Sequence, residues 1–148
     1  VPVNPQLVGR VFAPTEPYQV GREKVREFAR AVFALSPLHH DSEVARRAGY
    51  SDVIAPTTFP VVLQEFTIAQ MLAEPDAGID FSRVVHGDQR FIYSRPIVAG
   101  DELTATLSIA SVKQLGPHSM ITIESAIADV HGEHVTTAVS TLVVRGDE

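Results

Sequence analysis

The stretch Phe59-Pro60-Val61-Val62-Leu63-Gln64-Glu65-Phe66-Thr67-Ile68-Ala69-Gln70-Met71-Leu72 decides how the chain is built. Phe59, Val61, Val62, Leu63, Phe66, Ile68, Ala69, Met71 and Leu72 make it apolar over most of a helical circumference, and such a helix is buried. Thr57 or Thr58 is a plausible N-cap and Pro60 is tolerated in a first turn, so a helix is predicted over about 59–72. Pro75 and Gly78 end it. From Val84 the period changes to two. Thr104, Thr106 and Ser108 alternate with Ala105, Leu107 and Ile109. Ile121, Ile123, Ser125 and Ile127 alternate with Thr122, Glu124 and Ala126. Strands are predicted at about 84–94, 102–115, 119–130 and 133–145, joined by Pro96–Asp101, Gly116-Pro117 and His131-Gly132-Glu133. Four late antiparallel strands and one earlier buried helix pack most economically as a curved sheet wrapped round that helix, an α+β arrangement. Its open edges are of the kind that dimerisation covers.

Upstream of the helix, residues 1–19 are Pro-rich and expected to be extended. Val20 to Phe33 has helical spacing, with Val25, Phe28, Ala29 and Val32 on one face and Gly21 as a weak cap. Ser36 precedes Pro37 and is pushed towards extended geometry. Asp41 or Ser42 then caps a short helix, Glu43–Ala48, that stops at Gly49. A loop over 50–57 contains Pro56. No repeat or low-complexity run interrupts the 148 residues, which are expected to form one domain, 1–148.

Composition narrows the function classes. The net charge of −6 argues against nucleic acid or an anionic membrane surface as partner, because both need clustered Lys and Arg. There is no cysteine, so disulfides, thiolate nucleophiles and Cys-ligated metals are excluded. No run approaches the roughly 20 apolar residues of a membrane span. Val1-Pro2-Val3-Asn4-Pro5 has no basic segment leading into an apolar run, so no signal peptide is expected and a cytoplasmic location is the default. His118, His131 and His134 lack metal-ligand spacing, and no glycine-rich phosphate loop opens a helix. Neither a metal nor another cofactor is expected.

Three segments carry residues suited to chemistry. In Phe33–Asp41, His39, His40 and Asp41 lie in a loop between helices beside Pro37. Loops on a rigid scaffold often hold reactive groups, although Asp41 reads equally as a helix cap. In Ala55–Phe59, a helix N-terminus offers free N–H groups that can hold a developing oxyanion. Thr57 retains its N–H whereas Pro56 has none, and Thr57 or Thr58 can also simply cap. In Val84–Phe91, His86 and Asp88 share a strand face and could form an acid/base pair, with Gly87 allowing close approach. A strand edge at a subunit contact explains the same residues and is preferred.

The first segment resembles the MaoC-like hot-dog family of (R)-specific hydratases and dehydratases. That family's pattern runs roughly G-D-x-N-P-x-H-x-D-x-x-x-A and then a glycine. Here Pro37, His39, Asp41, Ala45 and Gly49 match, and Ile54-Ala55-Pro56-Thr57 occupies the approach to the central helix. Gly21–Phe28 and Arg95–Asp101 look especially like the actinobacterial (3R)-hydroxyacyl-carrier-protein dehydratase subunits of the family. The resemblance implies a hot-dog fold and a thioester substrate, carried on CoA or acyl carrier protein. It implies His39 as the catalytic base and Ser36, Ala55, Thr57, Thr58, His86 and Gly87 as substrate-binding positions. It also implies an Asp five residues before the His, and that position here is Ala34. Alanine can neither accept a proton nor orient water. The departure favours a subunit that depends on a MaoC-like partner in a heterodimer. An active homodimer using His39 and a thioester-binding module without chemistry remain the alternatives.

Overall fold

The computed structural model describes residues 3–147; Val1, Pro2 and Glu148, including the first two residues of the N-terminal segment read above, lie outside it. A two-residue strand β1 (Tyr18–Gln19) leads into helix α1 (Arg22–Ala31). A 3-10 turn (Pro37–His39), helix α2 (Ser42–Arg47) and helix α3 (Val61–Leu72) follow. The chain then runs through β2 (Val84–Tyr93), β3 (Glu102–Leu115), β4 (His118–Asp129) and β5 (His134–Val144). The strands form one antiparallel sheet in the order β1-β3-β4-β5-β2. The sheet curls around α3, so the alternation of β3 and β4 puts Leu103, Leu107, Ile109, Ile121, Ile123 and Ile127 against the helix.

The four long strands lie within two residues of the positions predicted from alternation. The central helix differs in two ways. It starts at Val61, with Pro60 as N-cap and no side-chain cap, so neither Thr57 nor Thr58 caps it. The chain enters through turn bonds from the Phe59 N–H to the Pro56 carbonyl (2.9 Å) and from the Val61 N–H to the Thr58 carbonyl (3.2 Å). Moreover, α3 is buried along the side that faces the sheet and not all round. Leu63 and Met71 are buried together with the polar Gln64 and Thr67, whereas Phe66 is 48% exposed.

The inner polar residues are held by partners that the strands supply. Thr67 Oγ1 lies 2.9 Å from Ser125 Oγ and donates to the Gln64 carbonyl at 2.7 Å. Gln64 Nε2 donates to Gln89 Oε1 (3.1 Å) and Ser140 Oγ (3.3 Å). Buried polar groups cost little once paired, so a polar stripe on the inner face is compatible with the core. Ser125 and Ser140 are accordingly buried, as are Ser119 of β4 and Thr136 of β5.

The N-terminal elements close the open end of the sheet. Val25 and Ala29 of α1 are buried, and Phe28 meets Phe59 edge-on with centroids 5.3 Å apart. Arg22 grips Asp52 through Nε (3.0 Å) and Nη2 (2.7 Å), tying α1 to the loop before α3. That bidentate contact holds the Asp52 carboxyl down at about 2. Both short helices end alike. In α2 the N–H groups of Gly49 and Tyr50 donate to the carbonyls of Arg46 and Ala45, with Gly49 at φ +100°. In α1 those of Phe33 and Ala34 donate to the carbonyls of Arg30 and Ala29, with Phe33 at φ +58°. This left-handed closure usually takes glycine, and a non-glycine residue there costs about 1–2 kcal/mol.

Two outcomes follow. Leu63→Ala empties a fully buried site beneath the sheet and is expected to lower unfolding stability by about 2–5 kcal/mol in urea titration; a loss well below 1 kcal/mol would show that α3 is not packed as described. Asp52 has a folded pKa below its unfolded value, so its contribution is present above about pH 4 and is lost as pH falls towards 2. The thermal midpoint of the wild type should therefore converge on that of Asp52→Asn over this window and exceed it at neutral pH.

Candidate active site

The loop that carries His39 is locked to the segment before α3 through one residue. The Ile54 N–H donates to the Leu38 carbonyl at 3.0 Å, and His39 Nδ1 lies 2.7 Å from the Ile54 carbonyl. A carbonyl only accepts, so His39 holds its proton on Nδ1 and the neutral ring presents a bare Nε2. Among the described residues Nε2 has no hydrogen-bond partner. His40 turns the other way, its Nε2 donating to the Ala34 carbonyl at 2.8 Å, and Arg26 Nε donates to the His40 carbonyl at 2.9 Å. Asp41 caps α2 through Oδ1, accepting from the N–H groups of Glu43 (2.9 Å) and Val44 (3.3 Å). Its carboxylate is thus spent on the helix.

Ile54 is itself anchored to the sheet side of the molecule. It bridges Val98 in antiparallel fashion, the Ala55 N–H donates to the Ile97 carbonyl (2.8 Å), and the Ala99 N–H donates to the Val53 carbonyl (3.0 Å). Residues 97–99 are held in turn by Arg95, whose guanidinium clasps Asp101 at 2.8 and 3.1 Å and reaches Asp129 at 3.3 Å. Asp101 Oδ2 also accepts from the Val98 N–H at 2.9 Å. The Arg95–Asp101 motif is therefore a brace for the segment against which Ile54 pairs.

Three residues beyond Ile54 lies Thr57, within the roughly 10 Å that three residues can span. Thr57 and Thr58 are exposed, and among the described residues neither N–H has an acceptor. The Thr57 carbonyl does: Tyr93 Oη donates to it at 2.7 Å. Burial pushes the Tyr93 phenol upward, so it stays a donor. Tyr93 was not singled out from sequence; an aromatic with a polar tip at the end of a strand was the available signal. His39, Thr57 and Thr58 thus lie on neighbouring parts of one surface, with Ala55 beneath them in the core. Ser36 lies at the start of the 3-10 turn, where its Oγ accepts from the Leu38 N–H at 3.3 Å.

His86 and Gly87 lie elsewhere. Six residues of β2 separate His86 from Tyr93, about 20 Å along a strand. A bulge between His86 and Asp88 breaks the shared face expected for the pair. His86 Nε2 meets Ser140 Oγ (2.8 Å) and the Asp88 backbone carbonyl (3.1 Å), not the Asp88 carboxylate. An added Cβ at Gly87 would sit 3.4 Å from the Thr141 carbonyl. His86 instead borders a groove of about 400 Å³ on the outer side of α3, with Ile68, Leu72, Phe81 and Val84. No group of three or more His, Asp or Glu placed to hold a metal occurs among the described residues. No described helix is long and apolar enough to cross a membrane.

Known proteins share this architecture. Residues 6–138 match the model of the FAS1-like dehydratase domain region. A UPF0336 protein of Leifsonia xyli is 66% identical over 148 residues, covering 100% of this chain and 99% of that protein. Among solved structures, the C-terminally truncated HadBC (3R)-hydroxyacyl-ACP dehydratase complex of Mycobacterium tuberculosis matches with a TM-score of 0.85 and 33% identity, over 93% of this chain and 96% of that one. A MaoC-like dehydratase matches at 35% identity and a TM-score of 0.83, over 94% of this chain but 42% of its own longer chain. The antiparallel sheet curled round α3 is the hot-dog fold. This chain belongs to the FAS1-like dehydratase-region family of MaoC-like hot-dog hydratases and dehydratases, alongside the actinobacterial UPF0336 proteins.

Proposed function

We propose that the chain, as one domain over residues 1–148, is a cytoplasmic subunit of a hydratase/dehydratase acting on (3R)-hydroxyacyl or trans-2-enoyl thioesters, and that it works with a MaoC-like partner. One observation carries this reading: the loop presents His39 with Nε2 free, yet Ala34 puts a methyl group where the family's acid belongs. In hydration, His39 Nε2 takes a proton from water while the water oxygen bonds to C3 of the enoyl group. The C2–C3 π pair moves onto the thioester, and the resulting enolate oxygen is held by the Thr57 and Thr58 N–H groups. The proton then passes to C2. Without a carboxylate at residue 34, the loop lacks the family's group for orienting the water, and an acid–base unit that loses one member loses most of its rate.

Partner dependence has structural support. β2 is a ten-residue edge strand with Val85 and Ile92 exposed, and Phe66 and Phe81 stand open beside α3. Unpaired edges and apolar faces of this kind are covered in assemblies. The similar HadBC dehydratase is a complex. Under this reading Ser36 and Ala55 shape the loop and the strand that carry His39 and Thr57, while His86, with Gly87 next to it in β2, borders the groove along α3.

Hydration of a short and a long trans-2-enoyl-CoA, measured for the chain alone and with a MaoC-like partner, tests the proposal. Little turnover alone and clear turnover with the partner are expected. Ala34→Asp should raise the activity of the isolated chain by about 10- to 100-fold if the restored acid orients water, and His39→Ala should abolish that gain. Full turnover by the unmodified chain alone refutes partner dependence, and an Ala34→Asp chain indifferent to His39→Ala refutes the site.

A further inference from the structure

The turn into α3 presents three consecutive carbonyls, and they are not held alike. The Pro56 carbonyl accepts from the Phe59 N–H at 2.9 Å and the Thr58 carbonyl accepts from the Val61 N–H at 3.2 Å, both within the turn. The Thr57 carbonyl between them accepts from no backbone N–H among the described residues. Its partner is the phenol of Tyr93, whose Oη donates to it at 2.7 Å from the end of β2.

Each carbonyl shares a rigid plane with the N–H of the following residue, and in a trans peptide the two point in opposite directions. The Pro56 carbonyl therefore sets the direction of the Thr57 N–H, and the Thr57 carbonyl sets that of the Thr58 N–H. Thus one of the two open N–H groups is aimed by the turn itself, and the other is aimed by a side chain from a distant strand. A hydrogen bond at the peptide oxygen also polarises the group and strengthens its N–H as a donor.

Tyr93 is held firmly enough to do this. It pairs with Thr136 of β5. The N–H groups of Ser94 and Arg95 both donate to the Val135 carbonyl, at 2.8 and 3.3 Å. The Arg95 guanidinium then clasps Asp101 and reaches Asp129. Burial keeps the phenol protonated, so it remains a donor. Thr57 is exposed, so its carbonyl does not need a protein partner to avoid an orphaned acceptor. A phenol braced by the sheet fixes a direction, which a mobile water does not.

We propose that Tyr93 is a positioning residue of the oxyanion site: through the Thr57 carbonyl it aims the Thr58 N–H at the thioester oxygen. This role rests on the thioester reading above and adds to it a residue that does not touch the substrate. As charge develops on the oxygen, the Thr58 N–H has no reorientation to make. The effect therefore falls on the transition state and not on substrate binding.

The test uses the full chain with its MaoC-like partner and a trans-2-enoyl-CoA. Tyr93→Phe keeps the ring and removes the donor. Deleting an oxyanion donor outright costs about 10²- to 10³-fold in kcat; here the donor is loosened and not deleted, so kcat should fall about tenfold with KM held within about twofold. The same fall is expected for the isolated Ala34→Asp chain, which carries this turn alone. In the ¹⁵N-labelled chain, Tyr93→Phe should shift the Thr58 amide resonance and speed its exchange with solvent, while the Thr57 amide stays put. The thermal midpoint should change by at most about 5 °C, the loss of one hydrogen bond. An unchanged kcat overturns the proposal. A raised KM with kcat intact would put the phenol against the substrate and overturn it too. Equal responses of the Thr57 and Thr58 amides would make Tyr93 a support of the whole turn, which also overturns it. If the wild-type complex hydrates no enoyl thioester, the thioester reading fails; if it does and Tyr93→Phe matches it, only the positioning role fails.

Discussion

The backbone of Ile54 is the point through which the two halves of this molecule hold each other. Its N–H takes the Leu38 carbonyl, its carbonyl takes His39 Nδ1, and its strand bridge to Val98 fixes it to the turn before β3. A backbone carbonyl cannot change protonation or rotate away independently of its peptide plane. It therefore sets both the tautomer of His39 and the direction of its free nitrogen. The same residue fixes where the chain stands when it enters the turn at Thr57. The His39 ring and a pair of open N–H groups are placed relative to each other by one short extended segment, with Arg22–Asp52 bracing it from α1 and Arg95–Asp101 from the sheet.

The central helix divides the rest of the molecule. Its inner face carries Gln64 and Thr67, paired with Gln89, Ser140 and Ser125, beside the buried Leu63 and Met71, and its outer face leaves Phe66 open. Hydrogen bonds across the inner face fix the rotation and register of α3 against the strands, which undirected apolar packing does less sharply. Glu65, Phe66 and Ala69 of the outer face are exposed. The bulge at Gly87 sits near the start of β2, where it turns His86 onto Ser140 and away from Asp88.

Much of the fold could be read in advance because local pattern and tertiary environment agree. The alternation of β3 and β4 needs only a period of two and one buried face, so those strands fell where they were expected. Asp41 as a cap and Gly49 as a stop are local backbone chemistry, complete within a few residues. The start of α3 differs from the expectation because threonines just ahead of an apolar run have the look of a cap, whereas the chain enters through consecutive turn bonds that leave both threonine N–H groups open. Tyr93 was missed because its partner, the Thr57 carbonyl, lies 36 residues away.

Residue types alone established that this is a sheet wrapped on a helix and that His39 sits in a loop able to hold reactive groups. These are properties of periodicity, side-chain chemistry and short-range spacing, and they survive without knowing which distant segments meet. Which nitrogen of His39 is free, which threonine N–H groups are open, that His86 lies at the far end of β2 from this loop, and that α3 is covered on one side only were decided by the folded chain. Each depends on a contact between residues far apart in sequence, and the free energy of such a contact comes from the geometry of both partners at once.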